Sequence, residues 1–408
     1  MTLLRLFILS AVLFLNLHCA HTHLDQLRAP NNLKSQRDCV GQFSALNTQS
    51  YKKLKAVNKR SVEVNSSAIL PPSEILTLEP LEPQNYKRFS EENKITISTY
   101  NVLNLKQMVG RYEPDLTTGR RVKTKPEAPK SQSQITGVAE VIKEISPDIL
   151  FLQEVEGVES LANFAEQDLQ NQWRPLIIKG NDSRGIHIGV LIKKTIPLHF
   201  DYESHRDEPF SNEHHPEIKK VFSRDFAVLL ARPPTGGDPL FILAGVHGKS
   251  KRSENKLDPE SREIRTAQAE RMVEIIKYYQ EKHPNIPIML MGDFNAEVHS
   301  EPEYSALREF NIKDVLDLTP NALPVGDFGR ITHTYHPQGG SRKASQLDSI
   351  LLVPPHQDFV LKAEVYRYKN EDGSLKAIPQ TYAERQTNPS DHYPIWTELD
   401  LQKLIKRN

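Results

Sequence analysis

The chain of 408 residues sets 52 Lys and Arg against 52 Asp and Glu. That zero net charge excludes a non-specific coat for nucleic acid but leaves room for a local basic groove. Apolar residues at 38% and charged residues at 25% exclude wholesale disorder and permit a buried core.

The N-terminal stretch MTLLRLFILSAVLFLNLHC places Arg5 before an apolar run from Leu6 to Leu17, interrupted by Ser10 and Asn16. The run is short for a transmembrane span and suits the core of an export signal, here residues 1–19. Cys19 then stands where a bacterial lipoprotein would carry its lipid; cleavage near Ala20 without a lipid is the alternative. The expected location is periplasmic, cell-envelope or secreted, with a lipid on Cys19 as the only membrane link. Cys39 is left alone, so an exported form relies on its core rather than on disulfides.

Residues 20–93 are polar, and Pro71, Pro72, Pro80 and Pro83 favour extended chain without backbone donors. They read as a tether to a domain at 94–408. From Lys94 the pattern changes. ITISTYNVLNL (95–105) alternates like a strand, and SQSQITGVAEVIKEIS (131–146) sets Ile135, Val138, Ala139, Ile142 and Ile145 at helical spacing before Pro147. DILFLQEV, GIHIGVLIKK, FAVLLAR and PLFILAGVHGK read as buried strands. RTAQAERMVEIIKYYQEK (265–282) is an amphipathic helix, and IPIMLMGDFN, QLDSILLV and YPIWTELDL close the set. Strands in both hairpin and crossover order, with few helices, predict a mixed two-sheet α/β domain.

Polar groups recur at the ends of these apolar strands: Asn101, Gln153-Glu154, His247, Asp293 with Asn295, Asp348, and Ser390-Asp391-His392. Singly, each is an ordinary solvated turn; GDFN has the composition of a strand exit. Six such loops together fit a site carried on a rigid scaffold. Asp293 and Asn295, two apart, are expected to project to the same side.

The segments TYNVLNL, DILFLQEVEG, GVHGKSK, MGDFNAE, LDSILLV and SDHYPI occur in the order of the endonuclease/exonuclease/phosphatase superfamily. These are Mg²⁺-dependent phosphodiesterases similar to pancreatic-type deoxyribonuclease. The chain resembles their bacterial secreted nuclease-like members most, over roughly three quarters of its length. The resemblance implies a four-layer α/β/β/α sandwich, two mixed β-sheets packed face to face with helices outside. It also implies a metal-dependent phosphoric ester hydrolase.

Phosphoester hydrolysis needs an activated water, neutralised phosphoryl charge and a protonated leaving oxygen. Carried over by the resemblance, Glu154 is the best metal ligand, Asn101 lies beside it as a neutral oxygen donor to the metal, and Asp391 reaches the ion or its waters. Hard oxygen donors suit Mg²⁺, with Mn²⁺ or Ca²⁺ as substitutes. Asp293 orients or deprotonates the attacking water, and Asn295 binds a phosphate oxygen. His392 donates to the developing charge or acts as base, and Asp348 fixes its tautomer. His247 is a general acid or phosphate binder. Lys249 and Lys251 beside His247, with Arg184 and Arg224 ahead of strands, are expected to hold substrate. The stretch 106–130 adds seven Lys and Arg against three acids. His299 has no evident partner and stays outside the site.

The favoured substrate is DNA or RNA, and the favoured state is a monomer. A sphingomyelinase-like or inositol-phosphate enzyme is the alternative. It would be expected to carry an apolar membrane-contact hairpin, and the nearest stretch, EPFSNEHHPEIKKVF (208–222), is largely polar. A non-catalytic binding module on the same fold would be expected to lack metal or His residues, which are all present.

Overall fold

A computed structural model describes residues 69–105, 112–114, 121–123, 130–336, 341–355 and 358–406. The export segment, Cys19, Cys39, most of the tether and most of the basic stretch 106–130 lie outside the described residues.

In chain order the strands are β1 (Glu74–Leu78), β2 (Lys94–Leu105), β3 (Tyr112–Pro114), β4 (Arg121–Lys123), β5 (Ile149–Val155) and β6 (Trp173–Ile177). There follow β7 (His187–Lys193), β8 (His199–Ser204), β9 (Phe226–Arg232), β10 (Phe241–His247), β11 (Ile288–Asp293) and β12 (Lys313–Asp314). The last five are β13 (His333–Tyr335), β14 (Lys343–Ser345), β15 (Asp348–Leu352), β16 (Val360–Val365) and β17 (Ile395–Asp400). One sheet has the order β1-β8-β9-β10-β11-β15-β12, the other β16-β17-β2-β5-β7-β6. Each contains one parallel pair, β10 with β11 and β2 with β5. The remaining neighbours in both sheets are antiparallel. The expected pair of mixed sheets is present.

Side-chain alternation builds the layers. On β10, Phe241 and Leu243 enter the core shared by the two sheets, whereas Ile242, Ala244 and Val246 pack outward. The outward set meets Ala269, Met272, Val273 and Ile276 of the helix Arg262–Lys282. The other sheet does the same: Ile97, Ile149 and Phe151 face the shared core, while Leu150 and Leu152 pack on Val138 and Ile142 of the helix Gln132–Ile145. The sum is the four-layer sandwich. Gly245 lets the sheets approach, since a Cβ there would stand 2.3 Å from Phe151 Cδ1. The helix Gln132–Ile145 starts on Ser131, whose hydroxyl accepts from Gln134 N–H (3.3 Å), and stops at Ser146 in the left-handed region before Pro147. Such a cap is worth about 1 kcal/mol.

The tether boundary at residue 93 needs correction. Residues 74–78 pair antiparallel with β8 along their whole length, and Phe89 of the short helix Tyr86–Ser90 is buried in the shared core. The prolines flank these elements instead of interrupting them, which is how an edge strand tolerates them.

Candidate active site

Alternation also brings the site together. On β2, β10 and β11 the residues that continue the shared-core parity at the strand end are Asn101, His247 and Asp293, and on the antiparallel β15 it is the first residue, Asp348. In the ladder His247 stands opposite Asp293, and Asp293 opposite Asp348. The apolar core thus ends in a polar cluster at one end of the sandwich.

Asp293 is its centre and is 1% exposed. Its Oδ1 accepts Asn295 N–H (2.7 Å), and its Oδ2 accepts from Asn101 Nδ2 (2.9 Å) and Asn295 Nδ2 (3.1 Å). His247 Nε2 is 3.6 Å and His392 Nε2 3.9 Å from the same oxygen. Behind His392, Asp348 Oδ2 sits 2.7 Å from Nδ1. Burial pushes Asp293 up to about 7; the His392 charge opposes this and the Asp348 charge adds to it. Burial alone would lower His392, but the Asp348 and Asp293 carboxylates outweigh it and raise the imidazole to about 10. His247 goes the other way, held well below its usual value by burial and by the charges of Arg224, Arg184 and His392. The two histidines therefore carry different charge at neutral pH.

Two amides are oriented differently from expectation. Both Nδ2 bonds of Asn295 are made within the protein, to Asp293 and to the Gly248 carbonyl (3.1 Å). Asn295 reaches Asp293 through a turn with φ of +54°, not through strand alternation. Asn101 contacts Asp293 rather than Glu154, and its Oδ1 accepts Leu103 N–H (3.0 Å).

Glu154 has the opposite strand parity to Gln153. It reaches the cluster because it adopts φ of +67° where the β5–β7 register is interrupted. For a residue with a Cβ this costs roughly 1–3 kcal/mol, and surrounding structure has to impose it. Its Oε2 accepts Asn104 N–H (3.0 Å), and its Oε1 lies 3.9 Å from His247 Nε2.

Asp391 accepts from Arg385 Nη1 at 2.5 Å and is 3.8 Å from His333 Nε2. Its neighbours His392, His333 and Arg385 outweigh burial and hold its carboxyl below the usual range. Among the described residues, His333, Asp391 and His392 converge closely enough to share an ion, as do Asp293, Asp348 and His392. Asp348 Oδ1 is buried without a hydrogen-bond partner. Carboxylate oxygens converging with imidazole nitrogens in this way are donor chemistry that suits a divalent cation.

The cations divide. Arg224 is 4% exposed, donates through Nη1 to the Gly248 carbonyl (3.0 Å), and pairs with Asp182. Arg184 pairs with the same carboxylate, and Lys249 is part-buried next to both. Lys251 belongs elsewhere, contrary to expectation: it is half exposed and paired with Glu301 at 2.6 Å.

Four neighbours of the site escaped the sequence reading. Lys130 is buried, donates to the Leu103 carbonyl (3.2 Å), and is brought down to about 8 by burial, with Asp391 and Glu154 opposing. Only its place before the helix cap distinguishes it. His333 stacks on His392 with ring centroids 4.5 Å apart, and Arg385 holds Asp391. Neither has a local sequence signal. Asp182 precedes Arg184 by two in NDSRG, an Asx-turn spacing that marks it once the fold is known. His299, expected to have no partner, has two: its Nε2 lies 3.1 Å from Asp314 Oδ2 and 3.1 Å from Arg330 Nη2.

A two-sheet sandwich with paired carboxylates and histidines at one end defines a class of phosphoester hydrolases. The chain matches the Endonuclease/Exonuclease/phosphatase family over residues 98–392, and it belongs to that family. Enzymes of this family generally use a divalent metal. No curated protein matches. Among solved structures, the chain is similar to truncated TDP2 of Caenorhabditis elegans at 18% identity, covering 75% of this chain and 98% of that one (TM-score 0.45). A mannosyl-6-phosphatase from Bacteroides thetaiotaomicron is similar at 18% identity over 75% and 99% (TM-score 0.45). TDP2 of D. rerio, complexed with single-strand DNA product, is similar at 15% identity over 76% and 99% (TM-score 0.44).

Proposed function

We propose that this protein is an exported Mg²⁺-dependent phosphodiesterase that hydrolyses DNA or RNA. The observation that carries the hydrolytic reading is the buried Asp293, flanked by His247 and His392 within 3.6 and 3.9 Å, with Asp348 behind His392. Glu154 would hold the ion, with Asp391 and Asn101 at its edge; Mn²⁺ or Ca²⁺ would suit the same oxygens. When bound, the ion supplies Lewis-acid stabilisation of phosphoryl charge.

The chain's own groups supply the rest. Asp293, raised by burial to about 7, is matched to accept a proton from water near neutral pH. Asn101 and Asn295 fix its carboxylate in place. His392, kept protonated by Asp348 and Asp293, donates Nε2–H to a non-bridging phosphoryl oxygen. Neutral His247 lines the same space. Arg184, Arg224 and Lys249 favour a polyanionic substrate, and this favours nucleic acid over a lipid headgroup. The apolar run at Leu6–Leu17 supports export, with Cys19 as the lipid site, and we infer a monomer that meets membrane only through that lipid.

The deciding experiment assays purified full-length protein on plasmid DNA, RNA, sphingomyelin and inositol phosphates, with Mg²⁺ and with EDTA. Cleavage of either nucleic acid with Mg²⁺ alone is expected. Intact DNA and RNA alongside a cleaved lipid or sugar phosphate would replace the nuclease reading.

A further inference from the structure

Two neighbouring strands leave their regular course at the same point. Asn101 on β2 stands opposite Gln153 on β5 and Leu105 opposite Val155, so Val102, Leu103 and Asn104 lie across from Glu154 alone. The other neighbour of β2, β17, pairs with it only from Lys94 to Thr99. Leu103 (φ +48°), Asn104 (φ +55°) and Glu154 (φ +67°) all adopt the left-handed region, which residues with a Cβ avoid. Surrounding contacts have to impose such a bulge, and a bulge beside an active site re-aims a side chain.

The bulge is held at successive groups. Leu103 N–H donates to Asn101 Oδ1 (3.0 Å), and Asn101 Nδ2 donates onward to Asp293 Oδ2 (2.9 Å). Asn104 N–H donates to Glu154 Oε2 (3.0 Å). Lys130 Nζ donates to the Leu103 carbonyl (3.2 Å). That carbonyl and the Asn104 N–H are the two ends of one planar peptide unit, so fixing the oxygen fixes the direction in which the N–H meets Glu154. A charged donor on the oxygen also polarises the N–H at the other end. Lys130 is well placed to hold it: the residue is 8% exposed and directly precedes Ser131, the cap of the packed helix Gln132–Ile145.

The ammonium also feels the site's charges. Burial lowers it, Asp391 and Glu154 favour its charge, and Arg385 opposes it. A lysine acting only as a charge would repel a divalent cation there, and its removal would tighten metal binding. A lysine that aims Glu154 predicts the opposite sign. Its hydrogen bond goes to the peptide, and this favours aiming. We propose that Lys130 is a positioning residue for the divalent metal: by holding the Leu103–Asn104 peptide it fixes the Glu154 carboxylate that would hold the ion. It touches the bulge, not the ion or the substrate. The inference rests on the divalent-metal part of the phosphodiesterase reading.

The test is Mn²⁺ binding to the full chain without substrate, read from the paramagnetic resonance signal of free Mn²⁺. Lys130→Met should weaken binding about ten-fold or more, the usual size for a partner that orients a metal ligand. Lys130→Gln, an uncharged donor, separates the two roles without relying on the Met variant. Loss of charge alone would tighten its binding, whereas the clamp predicts an affinity at or below that of the wild type. In a Glu154→Gln background the effect of Lys130→Met should shrink below about two-fold, because its route runs through that carboxylate. A damaged fold would weaken binding in both backgrounds alike. Tighter binding in either lysine variant, unchanged binding in Lys130→Met, or an equal loss with and without Glu154 overturns the proposal. Hydrolysis of bis(p-nitrophenyl) phosphate with Mg²⁺ separately tests the phosphodiesterase reading. A wild type that binds Mn²⁺ through this clamp but hydrolyses nothing sinks that reading alone; an active enzyme whose Mn²⁺ affinity ignores Lys130 sinks only the inference.

Discussion

His392 is clamped between two buried carboxylates at different nitrogens of its ring: Asp348 Oδ2 lies 2.7 Å from Nδ1, and Asp293 Oδ2 lies 3.9 Å from Nε2. The closer carboxylate fixes the ring and keeps it charged, while the further one leaves room for a reacting group. In this arrangement the proton on Nε2 depends on Asp348, which itself stays out of reach of a substrate.

Asp348→Asn should therefore leave the fold intact and weaken catalysis by about 10–100-fold, the usual size for an orienting partner. Losing that charge removes the largest influence raising His392 toward 10. The alkaline limb of the rate profile should then move to lower pH. Steady-state kinetics between pH 5 and pH 10 (roughly the span set by these groups) read both effects. An unmoved alkaline limb would assign that limb to another group.

Glu154 is the proposed metal ligand, with Oε1 facing His247 Nε2 at 3.9 Å. Chelation should abolish hydrolysis and added Mg²⁺ restore it. Glu154→Gln should raise the Mg²⁺ concentration giving half-maximal rate by ten-fold or more, in line with loss of a charged oxygen ligand. Asp391→Asn should shift it less, since Arg385 already neutralises that carboxylate. Metal titrations of the three proteins decide the order, and an equal shift would make Asp391 a full ligand.

How much of this was legible beforehand follows from the physics of each residue. Strand alternation is local, so Asn101, His247, Asp293 and Asp348 were visible as polar ends of apolar strands, and the face they share follows from parity. Glu154 has the wrong parity; its arrival at the site depends on a left-handed backbone that no local pattern encodes. Its part was supplied by the family resemblance. The donors of Asn101 and Asn295 turn to Asp293 because a buried carboxylate takes the nearest amides, a tertiary fact. Lys130 and His333 are separated by long stretches of chain from the groups they meet, and Arg385, six residues before Asp391, reaches it across a turn that no periodicity marks. Likewise β1 was hidden among prolines, because edge strands need neither a continuous apolar run nor every N–H.

Gly292 gives a test of the backbone at the centre of the site. Its φ is +138°, and a Cβ there would stand 2.0 Å from the Val246 carbonyl oxygen on the neighbouring parallel strand. Backbone cannot yield as a flexible side chain would. Gly292→Ala should cost about 3 kcal/mol or more, combining overpacking with an unfavourable φ. Denaturant unfolding should show a lower midpoint at an unchanged slope. A midpoint within error of the wild type would mean that β10 and β11 separate without cost.

The last prediction concerns a buried carboxyl that is not among the candidate metal ligands. Asp225 is 1% exposed; its Oδ1 accepts from Ser204 Oγ (2.9 Å), and its Oδ2 is buried without a hydrogen-bond partner. Burial pushes it up to about 7, against the opposing effects of Ser204 and Arg206. In the unfolded chain an Asp ionises near 4. Below that value both states hold the proton, and the contribution to stability is fully present. Between the two values the unfolded state releases its proton while the native state keeps it, so stability falls as pH rises; above 7 the loss is complete. A gap of this size corresponds to a few kcal/mol, on the order of 4 at most. Asp225→Asn cannot ionise and should show a flatter stability profile, with its advantage over the wild type growing from pH 5 to pH 8 (roughly the window between and just above the two values). Unfolding midpoints at the two pH values measure it. If the wild type and Asp225→Asn lose stability in parallel across that window, the slope belongs to some other buried group.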